Sequence, residues 1–321
     1  MNYSRAFTFN PLFDRGLNEE VRLVIYDNEK SEFAIIQKIP KEASWTVPYD
    51  QLDTHLNYKF KYQILNNGKW VDEGKYTRLL PESKTDEGIK YLLYPYEGSD
   101  KLVVIFQAIN TKQSYNYIKT IKDEPINRLY IKDEYGEDVT TKSSYYLGKR
   151  KGMEIFNATQ KLIKNVSNYL GIEKKNIIFA GSSKGGYAAL FHGYHFGAGH
   201  IIPGGPQILL GDYLGQTSEK SIRPPIFRSI VGEVNEENKK WANLLMFNAL
   251  EKASKPYPKT LIHIGGGEPH YNEHVVPFMQ WVKQLGIENV ELDIQDYDTH
   301  EELATHYPIF LKEQIQKFAR E

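Results

Sequence analysis

The segment Asn176-Ile177-Ile178-Phe179-Ala180 runs without interruption into Gly181-Ser182-Ser183-Lys184-Gly185-Gly186, and a helix-forming stretch starting Tyr187-Ala188-Ala189-Leu190 follows. An unbroken apolar run of that length reads as a strand covered on both faces. A strand that turns into a helix through Gly-x-Ser-x-Gly leaves few options for the backbone. The serine must sit in a strained turn at the C-terminal edge of a sheet, and a side chain beside it would collide with the neighbouring strand and helix. Its hydroxyl then projects into the crevice where open α/β sheets bind ligands. A glycine-rich turn of this kind can instead hold a phosphate on the helix N-terminus, and Lys184 suits that role. The Walker spacing Gly-x-x-x-x-Gly-Lys-Ser/Thr is missing, however, so the pattern favours Ser183 as a nucleophile on an elbow.

The rest of the chain supplies the sheet that such an elbow needs. From Lys101 onward apolar strands alternate with amphipathic helices, which predicts a mostly parallel sheet flanked by helices, of α/β-hydrolase type. Strands are expected at Leu102–Phe106, Asn176–Ala180, His200–Ile202, Thr260–Ile264 and Val290–Ile294. Phe156, Ile163, Val166 and Leu170 fall at helical spacing, with Gly171 placed to cap the helix. Leu214 to Pro258 has a weaker strand signal, with Pro224-Pro225 and a helix expected around Lys239 to Ala253; it reads equally as a cap over the site (214–258) or as a crossover. Before about Tyr96 the pattern differs. Val21–Tyr26, Phe33–Ile36 and Tyr58–Ile64 are short β-prone segments, and Asn66-Asn67-Gly68-Lys69 carries the Asn-Gly of a tight hairpin. The expected domains are therefore a small β-sandwich-like unit at 1–96 and the α/β-hydrolase domain at 97–321.

Composition narrows the classes of function. Lysine and arginine (40) balance aspartate and glutamate (41), so no global field exists to hold nucleic acid or an anionic membrane. Cysteine is absent, which excludes disulfides, thiolate metal sites and a cysteine nucleophile. Met1–Asn10 has no apolar run of signal-peptide length and no stretch is long enough to span a bilayer, so the expected location is cytoplasmic.

A serine hydroxyl needs a base, and this fold supplies partners in the chain order Ser, acid, His. After Thr260–Ile264 comes Gly265-Gly266-Gly267-Glu268-Pro269, placing a carboxylate just past a strand end. After Val290–Ile294 comes Asp296-Tyr297-Asp298-Thr299-His300, at the head of the last helix. His300 is favoured as base over His306, which falls inside that helix, because the base must reach the nucleophile from a loop. Glu268 is favoured as the orienting acid over Glu273, Asp212 and Asp298. The oxyanion hole should use the main-chain N–H of Lys184 and of either Ala108 or Ile109, in the loop after Leu102–Phe106. The Lys184 side chain is expected to face the substrate and help bind an anionic glycan or phosphorylated donor. His192 with His195 and His270 with His274 lack the His-Glu-x-x-His pattern, so no metal site and no cofactor is expected.

Gly181-Ser182-Ser183-Lys184-Gly185-Gly186-Tyr187-Ala188-Ala189-Leu190, with His200-Ile201-Ile202-Pro203-Gly204-Gly205-Pro206-Gln207 and Gly211-Asp212-Tyr213-Leu214 downstream, resembles the XcbB/CpsF capsular polysaccharide biosynthesis family. It is also similar to the accessory Sec system proteins that O-acetylate glycans on serine-rich adhesins. The resemblance implies an α/β-hydrolase fold, a triad at Ser183, Glu268 and His300, and acyl chemistry on bacterial surface carbohydrate. The expected partners are a carbohydrate substrate, a small acyl donor and proteins of a polysaccharide or secretion complex. An esterase acting on the same acyl groups, and a non-catalytic glycan-binding scaffold, are the competing readings.

Overall fold

The computed structural model describes residues 6–53, 57–216 and 221–321. The first five residues, part of the stretch read for a leader, and residues 217–220, inside the stretch read as cap or crossover, lie outside these. The chain divides into two compact units. One runs to Ser83 and takes in Leu92–Tyr94; the other comprises Lys84–Tyr91 and Pro95–Glu321.

The smaller unit is antiparallel. Strands β1 (Ala6–Phe9) and β4 (Trp45–Pro48) form a ribbon, with helix α1 (Pro11–Arg15) between them in sequence. Strands β2 (Val21–Asp27), β3 (Glu32–Ile39), β5 (Tyr58–Asn66) and β6 (Lys69–Leu79) form a sheet of order β3-β2-β5-β6. Val21, Leu23, Ile25, Tyr58 and Tyr62 are buried at period-two spacing along one face, and Val24 on the other face of β2 is buried too. Phe9 of the ribbon packs edge-on against Phe60 of the sheet, which makes the unit a small sandwich. Asn67 and Gly68 turn the β5–β6 hairpin with φ of 49° and 78°, the pair of positive angles that a two-residue turn of this twist requires.

The larger unit is built on a sheet whose strands run in the order β14-β13-β12-β11-β9-β10. These are β9 (Leu102–Phe106), β10 (Asn127–Ile131), β11 (Ile177–Ser182), β12 (His200–Gly204), β13 (Lys259–Gly265) and β14 (Val290–Gln295), while β7 (Glu82–Lys84) and β8 (Lys90–Tyr94) each have residues in both units. From β10 across to β14 every pairing is parallel. Strands β9 and β11 are buried along their whole length, which is why they read as continuous apolar runs. The connections are helical: α2 (Glu154–Leu170), α3 (Lys184–Phe196), α4 (Leu210–Leu214), α5 (Arg223–Val231), α6 (Glu236–Lys252), α7 (Val276–Gln284) and α8 (Leu303–Arg320). Gly171 closes α2 with φ of 68°.

The stretch between β12 and β13 has two parts. Helix α6 packs on α3, α4 and α7 and is a crossover on the face of the sheet. Helix α4 and the start of α5 instead carry side chains that reach the site described below. No helix among the described residues is long and apolar enough to cross a membrane.

Candidate active site

Strand β11 stops at Ser182, and Ser183 takes φ 55° and ψ −122° before α3 begins. This strained conformation is held because glycines let three backbones close around it. A Cβ on Gly185 would lie 2.4 Å from the Phe106 carbonyl oxygen, and one on Gly186 2.7 Å from that of Gly204. Ser183 N–H donates to the Gly204 carbonyl at 2.8 Å, fixing the turn between β9 and β12. From behind, the Tyr307 hydroxyl of α8 accepts from Gly181 N–H at 2.9 Å and donates to the Ile202 carbonyl. Ser183 Oγ is thereby carried past the sheet's C-terminal edge.

Two loops from the same edge converge on it. His300 stands in the turn before α8, with Nε2 2.9 Å from Ser183 Oγ. Its Nδ1 lies 2.5 Å from Glu268 Oε1, and Glu268 follows the Gly265–Gly267 turn at the end of β13. Hydroxyl, imidazole and carboxylate therefore form one hydrogen-bonded chain. With Nδ1–H donated to the carboxylate, Nε2 of a neutral His300 is left bare to accept the serine proton. Glu268 is fully buried. Burial pushes its carboxyl up, but hydrogen bonds from His270 and His300 outweigh that and bring it to about 2, so it stays ionised.

The competitors lie elsewhere. Glu273, Asp212 and Asp298 are exposed, and His306 is in α8 with its ring stacked on Tyr297.

His270 and Gln207 belong to the site and were not singled out as its members from the sequence. His270 Nδ1 is 3.1 Å from the same Glu268 oxygen, and its ring lies 4.3 Å from that of His300. Gln207, fully buried just beyond β12, donates from Nε2 to Ser183 Oγ at 3.0 Å. The pair Pro206-Gln207 was the available signal, since it stands in the motif that carries the family resemblance. Glu268, His270 and His300 also offer three ligand atoms within 4.8 Å of one another, an imidazole–carboxylate set that divalent metals favour. Nδ1 of both rings and Oε1 of Glu268 are engaged with one another, so a cation taking those atoms would have to displace the proton between each ring and the carboxylate.

The two oxyanion-loop candidates are distinguished by their partners. Ala108 N–H donates to Asn116 Oδ1 at 3.0 Å, whereas Ile109 N–H has no partner among the described residues. Lys184 is the first residue of α3, so its N–H has no helical carbonyl to bond. Of these candidate donors, the backbone N–H groups of Lys184 and Ile109 are the ones without a partner among the described residues.

The Lys184 side chain corrects the expectation drawn from its position. Its ammonium does not face the substrate: it is 2% exposed and lies 3.0 Å from Asp133 Oδ2, itself sealed from solvent. Asp133 also accepts from the Ser144 N–H and from both the Ser143 and Ser144 hydroxyls. Asp133 N–H donates to Gln107 Oε1 at 3.0 Å, and Gln107 N–H donates to the Tyr146 hydroxyl at 2.6 Å. The first turn of α3 directs the lysine inward, where through Asp133 it is tied to Gln107 in the loop after β9.

No protein-family model matches the chain, and no curated protein sequence does. Among solved structures it is similar to the capsule O-acetyltransferase of Neisseria meningitidis serogroup A, with a TM-score of 0.63 and 23% identity over 74% of this chain and 94% of that one. A variant of that enzyme has been solved in complex with CoA. It is similar also to a chain of the Glycosylation Associate Protein (Gap123) complex from Streptococcus agalactiae, with a TM-score of 0.61 and 14% identity over 98% of this chain and 62% of that one. The serine hydrolase FphF of Staphylococcus aureus matches at 0.53 and 13%, over 75% and 97%. The first two agree with the resemblance drawn from the sequence. At these identities what is shared is the fold, that of the α/β-hydrolases.

Two outcomes follow from the buried groups. Replacing Lys184 by methionine strands the Asp133 carboxylate and should lower stability in urea by about 3–5 kcal/mol, with part of the loss recovered by adding Asp133→Asn; a single variant as stable as wild type contradicts the pairing. The second outcome concerns acid. Burial, with the charges of His270 and Arg223 adding to it, pushes His274 down to about 3, and burial does the same to His192. The unfolded chain therefore takes up protons before the folded one does as pH falls. The stability that the two histidines contribute is present above about pH 6.5 and is lost below it, and that from Glu268 is lost from about pH 4.3 downward. Urea midpoints should fall steadily from pH 7 to pH 4; a flat or rising series contradicts these assignments.

Proposed function

We propose that the protein is a serine acyltransferase that moves an acyl group, acetyl in the first instance, onto a hydroxyl of a bacterial surface or capsular carbohydrate. The observation that carries this reading is the unbroken chain from Ser183 Oγ through His300 to Glu268.

In the first half-reaction the Ser183 hydroxyl gives its proton to His300 Nε2 as Oγ bonds to the donor carbonyl carbon. The carbonyl oxygen gains charge against the N–H groups of Lys184 and Ile109. The bond to the leaving group then breaks, and the leaving group takes the proton from His300. In the second half-reaction a sugar hydroxyl gives its proton to His300 and attacks the acyl carbon, and Ser183 Oγ recovers a proton as it departs. Glu268 holds His300 in the required tautomer and stabilises the imidazolium formed in each half. Gln207 fixes the Ser183 rotamer through its amide.

The fold likeness to a capsule O-acetyltransferase supports the choice of carbohydrate acceptor, and the CoA complex of its variant supports a CoA thioester as donor. The likeness to a chain of the Gap123 complex supports protein partners.

The test is a fluorophosphonate probe together with mass spectrometry of the protein incubated with acetyl-CoA and candidate sugars. Wild type should be labelled and Ser183→Ala should not, His300→Ala should label at least about a hundredfold more slowly, and an acetylated Ser183 and an acetylated sugar should appear. Acetate released with no acetylated sugar would identify an esterase instead. No labelling of wild type would leave only the scaffold reading.

A further inference from the structure

If the ammonium of Lys184 is spent on Asp133, the cation available to the site is another one. Arg223 is the first residue of α5, half-buried, with its guanidinium carbon 4.0 Å over the ring of Tyr213. The Tyr213 ring meets His270 and His274 edge-on at 5.3 Å and 5.6 Å, and His270 lies against His300. Arg223 thus stands three contacts, one cation–π and two between rings, from the imidazole that touches Ser183 Oγ.

Its bonding is incomplete. Nη1 donates to Gln216 Oε1 at 2.9 Å, and among the described residues no carboxylate pairs with it. Of the described acids nearby, Glu268 is shared by two imidazoles and Glu273 is exposed. Its place over the Tyr213 ring gives the guanidinium a cation–π contact, and it is also hydrogen-bonded to the Tyr213 side chain. Of its five N–H donors, those not engaged by Gln216 and Tyr213 are left for a planar or tetrahedral anion to meet in bidentate fashion.

We propose that Arg223 reads a phosphate group of the substrate, held by its guanidinium edge while the acyl carbon lies at Ser183. This inference rests on the acyl-transfer reading for what is bound, and it names the substrate class: a ligand carrying phosphate within reach of the triad. The phosphate can belong to the donor, as in CoA, or to a phosphorylated sugar acceptor.

Equilibrium binding to the full chain tests it without requiring turnover. The probes are two pairs, CoA with pantetheine and a hexose 1-phosphate with the free hexose, measured calorimetrically for wild type, Arg223→Gln and Arg223→Lys. Wild type should prefer the phosphorylated member of at least one pair. Arg223→Gln should weaken that member about tenfold or more and its uncharged counterpart less than about twofold, the loss expected for a charge-assisted bidentate contact. Arg223→Lys, which keeps charge without the fork, should fall between the two, and it reads the same difference where the glutamine variant does not fold. A loss confined to CoA assigns the phosphate to the donor, and one confined to the sugar phosphate assigns it to the acceptor. Wild type without any phosphate preference, or variants that bind charged and uncharged members equally well or equally poorly, would overturn the proposal. Phosphate selectivity that persists in a protein giving no acyl-enzyme would sink the acyl-transfer reading and leave this one standing.

Discussion

The site depends on one backbone conformation, the φ of 55° and ψ of −122° at Ser183. A non-glycine residue held there costs on the order of 1–3 kcal/mol, and it persists only where the surroundings over-determine it. Here they do so through contacts that permit no side chain. The carbonyls of Phe106 and Gly204 press on Gly185 and Gly186, and Tyr307 ties the strand behind the turn to its neighbour. Because β9 and β12 flank β11, the same packing that strains the serine also brings the oxyanion loop to one side of it. Gln207 arrives on the other side.

The chain order of the partners follows from the sheet order. Strands β12, β13 and β14 lie side by side and parallel, so the loops at their C-terminal ends line up in space. Gln207, Glu268 and His300 come from those three loops in turn. The pairing of Glu268 with two imidazoles departs from the minimum such a chain needs. It keeps a fully buried carboxylate ionised and joins the His300 imidazole to the row of His270, Tyr213 and Arg223.

What was legible in the sequence was whatever rests on local pattern. Continuous apolar runs exposed β9 and β11, and Gly-x-Ser-x-Gly set between strand and helix exposed the elbow. Strand β10 was missed because Asn127 and Arg128 interrupt its hydropathy. Both are buried and hydrogen-bonded to nearby loops, Asn127 to Tyr96, Ser99 and Lys101 and Arg128 to Ile121. Lys184 was misread for a related reason: adjacency to the nucleophile in sequence says nothing about which way the first turn of a helix directs its side chain. His270 was considered only with His274, as a metal pair. Its contact with Glu268 depends on how the glycine turn after β13 folds back, which no spacing reports.

The central claim is that Ser183, His300 and the two backbone donors act on one reacting carbon. The most direct measurement is a crystal structure of the protein after reaction with a phosphonate ester. The account predicts a covalent bond from Ser183 Oγ to phosphorus, the phosphoryl oxygen directed at the N–H groups of Lys184 and Ile109, and His300 still bonded to Glu268. An adduct on any other side chain, or a phosphoryl oxygen turned away from those two N–H groups toward Gln207, would contradict it.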